Sequence, residues 1–150
     1  MAPSARFAAN AYAKIGVQTG VAAANPHRLI LMLFDEAIGQ IAKSKQHMEA
    51  GNIAEKGESI ARAIRIIDEG LKASLDASAG DLANTLDSLY DFAIHSLIEA
   101  NVNNNPAILS RTHEIFSGLR ESWAAIGPDA KRAIPVTRRN HPAGNNFATL

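Results

Sequence analysis

The sequence predicts an all-α protein: an antiparallel up-down-up-down four-helix bundle with a short N-terminal helical segment and a disordered C-terminal tail. Three observations predict it. Apolar residues recur at spacings of three and four over long stretches, the period of one helix face rather than the alternation of a strand. The signals that divide these stretches belong to helix ends, with Asn-Pro at Asn25-Pro26 and Asn105-Pro106 and Gly-Pro at Gly127-Pro128. The breaks are short, so successive helices must double back on one another. The chain then divides into residues 1–24 as a mobile N-terminal segment, 25–127 as the bundle and 128–150 as a basic, disordered tail.

Each element has its own justification. Asn25 can cap the free amides of a first helix, and Pro26 is harmless at its first position. That helix runs to Ala50, where Gly51 suits a left-handed terminator. Asn52 can cap a second helix reaching towards Asp76, with Ile53, Ile60, Ile64, Ile67, Leu71 and Leu75 on one stripe. Ala79-Gly80-Asp81 is the next break, with Asp81 as the expected cap. The third helix carries Leu82, Leu86, Leu89 or Tyr90, Ala93 and Leu97, and ends in the run Asn101 to Asn105. The fourth carries Ile108, Ile115, Leu119, Trp123 and Ile126 and stops at Gly127-Pro128. Ahead of the bundle, Phe7 to Val17 has Phe7, Ala11, Tyr12 and Ile15 at loosely helical spacing, with Gly16 and Gly20 loosening the link to Asn25. Beyond it, three prolines and little periodic apolar content predict disorder.

Composition limits the class of protein. At 150 residues the chain fits a single domain with one core. Apolar residues make up 47% and aromatics only 5%, so alanine, leucine and isoleucine must build the interior. Lys+Arg and Asp+Glu balance at 15 each, which provides no overall field to attract nucleic acid or an anionic membrane. The balance is uneven along the chain: 11 basic against 14 acidic residues up to Gly127, then 4 against 1. Without cysteine there are no disulfides and no thiolate ligands. No run approaches the roughly 18 apolar residues of a membrane span, and the start lacks the pattern of a signal peptide. The expectation is a cytoplasmic protein without membrane insertion.

One stretch has more apolar surface than a bundle helix needs. Leu29, Ile30, Leu31, Met32, Leu33 and Phe34 are consecutive and cover every direction around nearly two turns, whereas a bundle helix needs an apolar arc a little over 100° wide. Ile30, Phe34, Ala37, Ile41 and Met48 already make a sufficient core stripe. Leu31 and Ile38, seven apart, form a second one. Two readings stand: the helix is the most central element or is covered by the N-terminal segment, or the excess forms a docking groove for a partner helix. They are compatible if a mobile segment covers the groove until a partner displaces it. Tyr12 suits that cover, because its ring fills an apolar site while its hydroxyl stays wet.

Reactive chemistry is sparse. Carboxylate-bridged metal sites in bundles require Glu-x-x-His on two helices, and no such motif occurs. Asp91 and His95 form a bare i,i+4 pair, which is more often an ordinary polar pair than a metal site. His95 and His47 are mid-helix candidates for a phosphoryl acceptor, but His95 follows Ala93-Ile94 without a lysine nearby, and His47, beside Lys45, lies near its helix end; an ordinary surface histidine is the commoner reading. His27 and His113 read as first-turn and surface residues. Phosphate loops, nucleophile elbows and zinc-protease motifs are missing. The pairs Lys131-Arg132 and Arg138-Arg139 lack the interleaved aromatics of a nucleic-acid site. No catalytic residue, metal or cofactor is expected.

Four ordered blocks carry a family likeness: YAKIGVQTGVAAANPHRLILMLFDEAI from Tyr12 to Ile38, AIRIIDEGLKASLD from Ala63 to Asp76, LYDF at Leu89–Phe92 with EAN at Glu99–Asn101, and LRESWAAI from Leu119 to Ile126. Together they resemble the flagellin export chaperones of bacterial flagella. The chain departs from the family pattern in three places. Asn25 stands for the family's Ser before Pro26, Phe34-Asp35-Glu36 for Tyr-Asp-Gly, and Ile94-His95-Ser96 where a basic pair is usual. The resemblance implies a non-enzymatic chaperone that binds the C-terminal segment of flagellin in a hydrophobic groove, prevents premature polymerisation and delivers it to the flagellar export apparatus. The residues expected to contact this partner are Tyr12, Leu29, Leu31, Met32, Phe34, Ile38, Leu86 and Tyr90. The alternatives are a histidine phosphotransfer or signalling bundle using His95 or His47, and a helical adaptor for another partner.

Overall fold

A computed structural model of the chain describes residues 25–127 with the exception of 77 and 79. The N-terminal segment with Phe7–Val17 and Tyr12, and the basic tail, lie outside the described residues. Four helical rods follow one another: α1 (Pro26–Ala50), α2 (Ile53–Arg65, continuing through Ile66–Leu71 to Ser74), α3 (Asp81–Asn103) and α4 (Pro106–Ile126). α1 packs along both α2 and α4, and α3 closes the ring against those same two helices. This is the expected antiparallel four-helix bundle.

The helix ends explain the chain reversals. Asn25 is extended (φ −82°, ψ 169°) and accepts the Arg28 amide on its Oδ1 at 2.7 Å, as expected of a cap. Gly51 is left-handed (φ 79°, ψ 14°). Its amide donates to the Met48 carbonyl at 3.2 Å and the Asn52 amide to that of His47 at 2.9 Å, which satisfies two carbonyls that α1 leaves open. Asn105 caps α4 through Ala107 N at 3.0 Å. Two expected caps differ. Asn52 makes no side-chain bond to the amides of α2; its amide group faces His47 Nδ1 at 3.4 Å instead. Gly80 (φ 65°) holds the cap position of α3, and Asp81 is the first helical residue, where its charge still favours the helix N-terminus.

α2 changes its winding. After Arg65 the turns widen into a π-helix over Ile66–Leu71 and then tighten to 3₁₀ over Lys72–Ser74. The wide turn places Gly70 directly under Leu33 of α1. A methyl group on Gly70 would stand 2.9 Å from Leu33 Cδ2, so the missing side chain lets the two helices approach closely. At the other end of the bundle, the buried Lys56 reaches from α2 to the C-terminus of α3. Its Nζ donates to the Asn101 carbonyl at 3.2 Å and to Asn104 Oδ1 at 3.0 Å. A cation suits that helix end.

The core is aliphatic with an aromatic centre. Leu33, Ile41, Ile60, Ile66, Ile67, Leu97 and Leu109 are fully buried. Phe116 sits edge-on to Phe34 and tilted against Tyr90, each at 6.1 Å between ring centroids. Two expected stripes need correction. Ile53 is 72% exposed, because as the first residue of α2 it stands at the end of the bundle without a neighbour to meet. On α4 the buried face is Leu109, Thr112, Phe116 and Leu119, while Ile108, Ile115 and Trp123 pack at its edges. Adjacent residues on a helix are 100° apart, so a wide apolar arc offers two stripes, and packing selects between them.

Candidate partner-docking surface

α1 has neighbours on two sides, which accounts for half of its excess apolar surface. Leu29, Leu33 and Phe34 are buried, and only Ile30, Leu31 and Met32 of the six-residue run keep partial exposure. Leu33 turns towards Gly70 of α2, and Phe34 meets Phe116 of α4.

The seam between α1 and α4 is the part left open. His27, Leu31, Asp35 and Ile38 follow one another at helical spacing along one side of α1. Two of them are fastened to α4. His27 is buried, donates from Nε2 to the Trp123 carbonyl at 2.8 Å, and receives Trp123 Nε1–H on its own carbonyl at 2.9 Å. Asp35 Oδ1 accepts from Arg120 Nε at 2.8 Å. That bond, and then the carboxylate charge, raise the Arg120 guanidinium further above its usual value. Leu31 lies between the two clasps and Ile38 one turn beyond the second, both half-buried. The result is a short apolar strip, framed by polar anchors, that a helix or extended segment can cover.

The other expected contact residues separate. Met32 is half-buried on a different side of α1, about 100° around the helix from Leu31. Leu86 of α3 is half-buried and packs on the core, while Tyr90 is buried and its hydroxyl is pushed above its usual pKa by desolvation. Leu29, Phe34 and Tyr90 are sealed inside the bundle and present no free surface to a partner, because each fills the interface between helices. Tyr12 lies outside the described residues. His27 lies in the first turn of α1, as expected, but it is buried there, and its partner Trp123 is 96 positions away, so no local pattern signals the pairing.

The residues considered for chemistry have structural partners. His95 is exposed, and its Nδ1 stands 2.9 Å from the Asp91 carbonyl of its own helix. The Asp91 carboxylate is taken by Lys72 at 3.0 Å, and Asp87 shares the same ammonium at 2.7 Å. These bonds, Asp87 first, raise the Lys72 pKa. His47 is half-buried beside Asn52. Among the described residues, no helix is long and apolar enough to cross a membrane.

Comparison with known proteins gives a consistent answer. Residues 8–130 match the family described as Flagellar protein FliS. The chain is 40% identical over 121 residues to the Flagellar secretion chaperone FliS of Salmonella typhimurium, covering 80% of this chain and 90% of that one. It is 35% identical over 124 residues to the Flagellar secretion chaperone FliS of Vibrio cholerae, covering 83% and 91%. The namesake in Bacillus subtilis is 26% identical over 131 residues, covering 87% and 92%. These relatives are chaperones rather than enzymes, which sets aside the phosphotransfer alternative. The chain belongs to the FliS family of flagellar secretion chaperones.

Proposed function

We propose that the chain binds the C-terminal segment of flagellin in the cytoplasm, keeps it from polymerising and delivers it to the flagellar export apparatus. The observation that carries this reading is the open seam of α1 and α4, where Leu31 and Ile38 remain half-buried although the core beside them is complete. A monomeric bundle gains nothing from leaving such residues partly wet, and an amphipathic segment laid along them completes their burial. In this reading Tyr12 is the displaceable cover of the strip, so the free chaperone does not expose it to unspecific contacts. No nucleotide or metal is needed, because binding and release follow from burial alone.

The test is calorimetric titration of the full chain with a synthetic peptide of the flagellin C-terminus, followed by circular dichroism. Saturable binding with helicity above the sum of the separate components is expected. Additive spectra with no heat of binding overturn the proposal.

A further inference from the structure

The strip between α1 and α4 is not apolar along its whole length. Leu31 and Ile38 stand about 10 Å apart along α1, and Asp35 lies between them. At about 100° per residue, Leu31 and Ile38 lie about 60° and 40° round α1 from Phe34, the residue that meets Phe116 of α4. Asp35 lies about 100° round on the same side, so it forms the outer edge of the strip. Arg120 starts from α4 and still reaches Asp35, donating from Nε to Oδ1 at 2.8 Å. Its side chain therefore crosses the strip between the two apolar residues. The Arg120 side chain is 36% exposed and that of Asp35 55%, so both are open to an incoming segment.

Whatever covers both Leu31 and Ile38 must also cover this crossing cation. A guanidinium carries N–H donors on Nε and on both Nη groups, and the bond to Asp35 uses the one on Nε. Water can meet the Nη donors while the strip is open. Beneath a docked segment it cannot, and an unmet charged donor is costly there. Two neighbouring carboxylates do not remove this need. Asp35 holds the Nε side from the outer edge, and Glu121, next to Arg120 in sequence, acts on it through charge alone. A carboxylate meets the planar Nη edge of an arginine with two parallel bonds, which no donor group can do. We infer that Arg120 selects the occupant of the seam by a carboxylate, carried between the two apolar residues that cover Leu31 and Ile38, while Asp35 holds the guanidinium in place. On a helical occupant the pattern is two apolar residues seven apart, with Asp or Glu three or four positions after the first. The inference rests on the flagellin reading of the seam and adds the chemistry that tells a matching segment from an equally apolar one.

The test is a double-mutant cycle across the interface, with the full chain. A synthetic peptide of the flagellin C-terminus is titrated calorimetrically against the parent chain, Arg120→Gln and Arg120→Lys. The Asp and Glu residues of the peptide are exchanged one at a time for Asn and Gln, and its terminal carboxylate is amidated in a separate peptide. Arg120→Gln is expected to keep an unfolding midpoint near that of the parent and to bind the unchanged peptide about tenfold more weakly. Neutralising one carboxylate of the peptide should weaken binding to the parent by a similar factor and have no further effect on Arg120→Gln. If that carboxylate is the amidated one, the chain end rather than a side chain is the group selected. Arg120→Lys keeps the charge without the planar fork, should fall between the two, and carries the cycle if Arg120→Gln does not fold. Additive effects at every position, or binding by Arg120→Gln equal to that of the parent, overturn this inference and leave the flagellin reading standing. No binding of the peptide by the parent chain overturns that reading and this inference with it.

Discussion

His27 and Trp123 hold each other by two reciprocal bonds, with the indole N–H on the His27 carbonyl at 2.9 Å and His27 Nε2 on the Trp123 carbonyl at 2.8 Å. Their rings stack with centroids 5.2 Å apart and planes 15° from parallel. A carbonyl can only accept, so the imidazole proton sits on Nε2. The pairing ties the first turn of α1 to the last turn of α4 and gives an open carbonyl at the α4 terminus a donor.

The clasp predicts a graded loss of stability. Trp123→Phe keeps most of the ring area but removes the donor, and costs about 1 kcal/mol. Trp123→Ala removes the stacking and the edge packing as well, and costs about 3 kcal/mol. Urea unfolding of the two variants is the measurement. Equal losses would show that the indole N–H, and not the ring area, carries the clasp.

Gly70 and Leu33 predict a coupled pair. A helical glycine replaced by alanine ordinarily gains up to about 1 kcal/mol. Here the new methyl group would meet Leu33 Cδ2 at 2.9 Å, and because Leu33 is fully buried its side chain must shift within the packed core. Overpacking of this kind costs about 1–3 kcal/mol, so Gly70→Ala destabilises on balance. In a Leu33→Ala background the clash disappears and the same change becomes neutral or stabilising. A double-mutant cycle reads this directly. Additive effects would mean that the close approach of α1 to the π-turn carries no energetic weight.

The bundle and its punctuation were legible in the sequence because they depend on local rules. Asn25, Gly51 and Asn105 each act on residues within five positions of themselves, and the 3–4 spacing alone reports a helix. The exact buried face was less legible. Ile108 and Ile115 compete with Leu109 and Phe116 for the inside of α4, and only the position of α1 and α3 decides between them. The site was the least legible part. Leu29 and Leu31 are equivalent in composition and two residues apart, yet one is core and the other lies on the seam. His27–Trp123 and Asp35–Arg120 join residues 96 and 85 positions apart, so no window of sequence contains both partners.

Lys72 predicts a change on the alkaline side. Its bonds to Asp87 and Asp91 raise its pKa above the unfolded value of 10.5. A raised lysine contributes stability that is fully present below the unfolded pKa and lost as pH rises through the folded one. Stability should therefore decline from about pH 10.5 upwards, and Lys72→Met should flatten that decline. The effect at neutral pH stays within about 1 kcal/mol, because the carboxylates are half exposed and screened by salt. Chemical denaturation across pH 9–12 is the measurement. An unchanged alkaline slope in the variant would assign the decline to other groups.

Leu31 and Leu29 give the sharpest test of the docking surface, because they differ in burial and not in chemistry. Leu29→Glu places a carboxylate in a site only 2% exposed, and should prevent folding or shift the transition severely. Leu31→Glu leaves the core intact, so its circular dichroism and unfolding midpoint should remain near those of the parent chain. Its affinity for the flagellin peptide should fall at least about threefold to tenfold, since completing the burial of a half-buried leucine is worth about half of the roughly 1.5–3 kcal/mol of full burial and each 1.4 kcal/mol is a factor of ten. Ile38→Glu should show the same loss of binding with some loss of stability, because Ile38 also packs on the core. A folded Leu31→Glu chain that binds the peptide as well as the parent would place the partner on another face of the bundle. One that unfolds as Leu29→Glu does would make Leu31 part of the core.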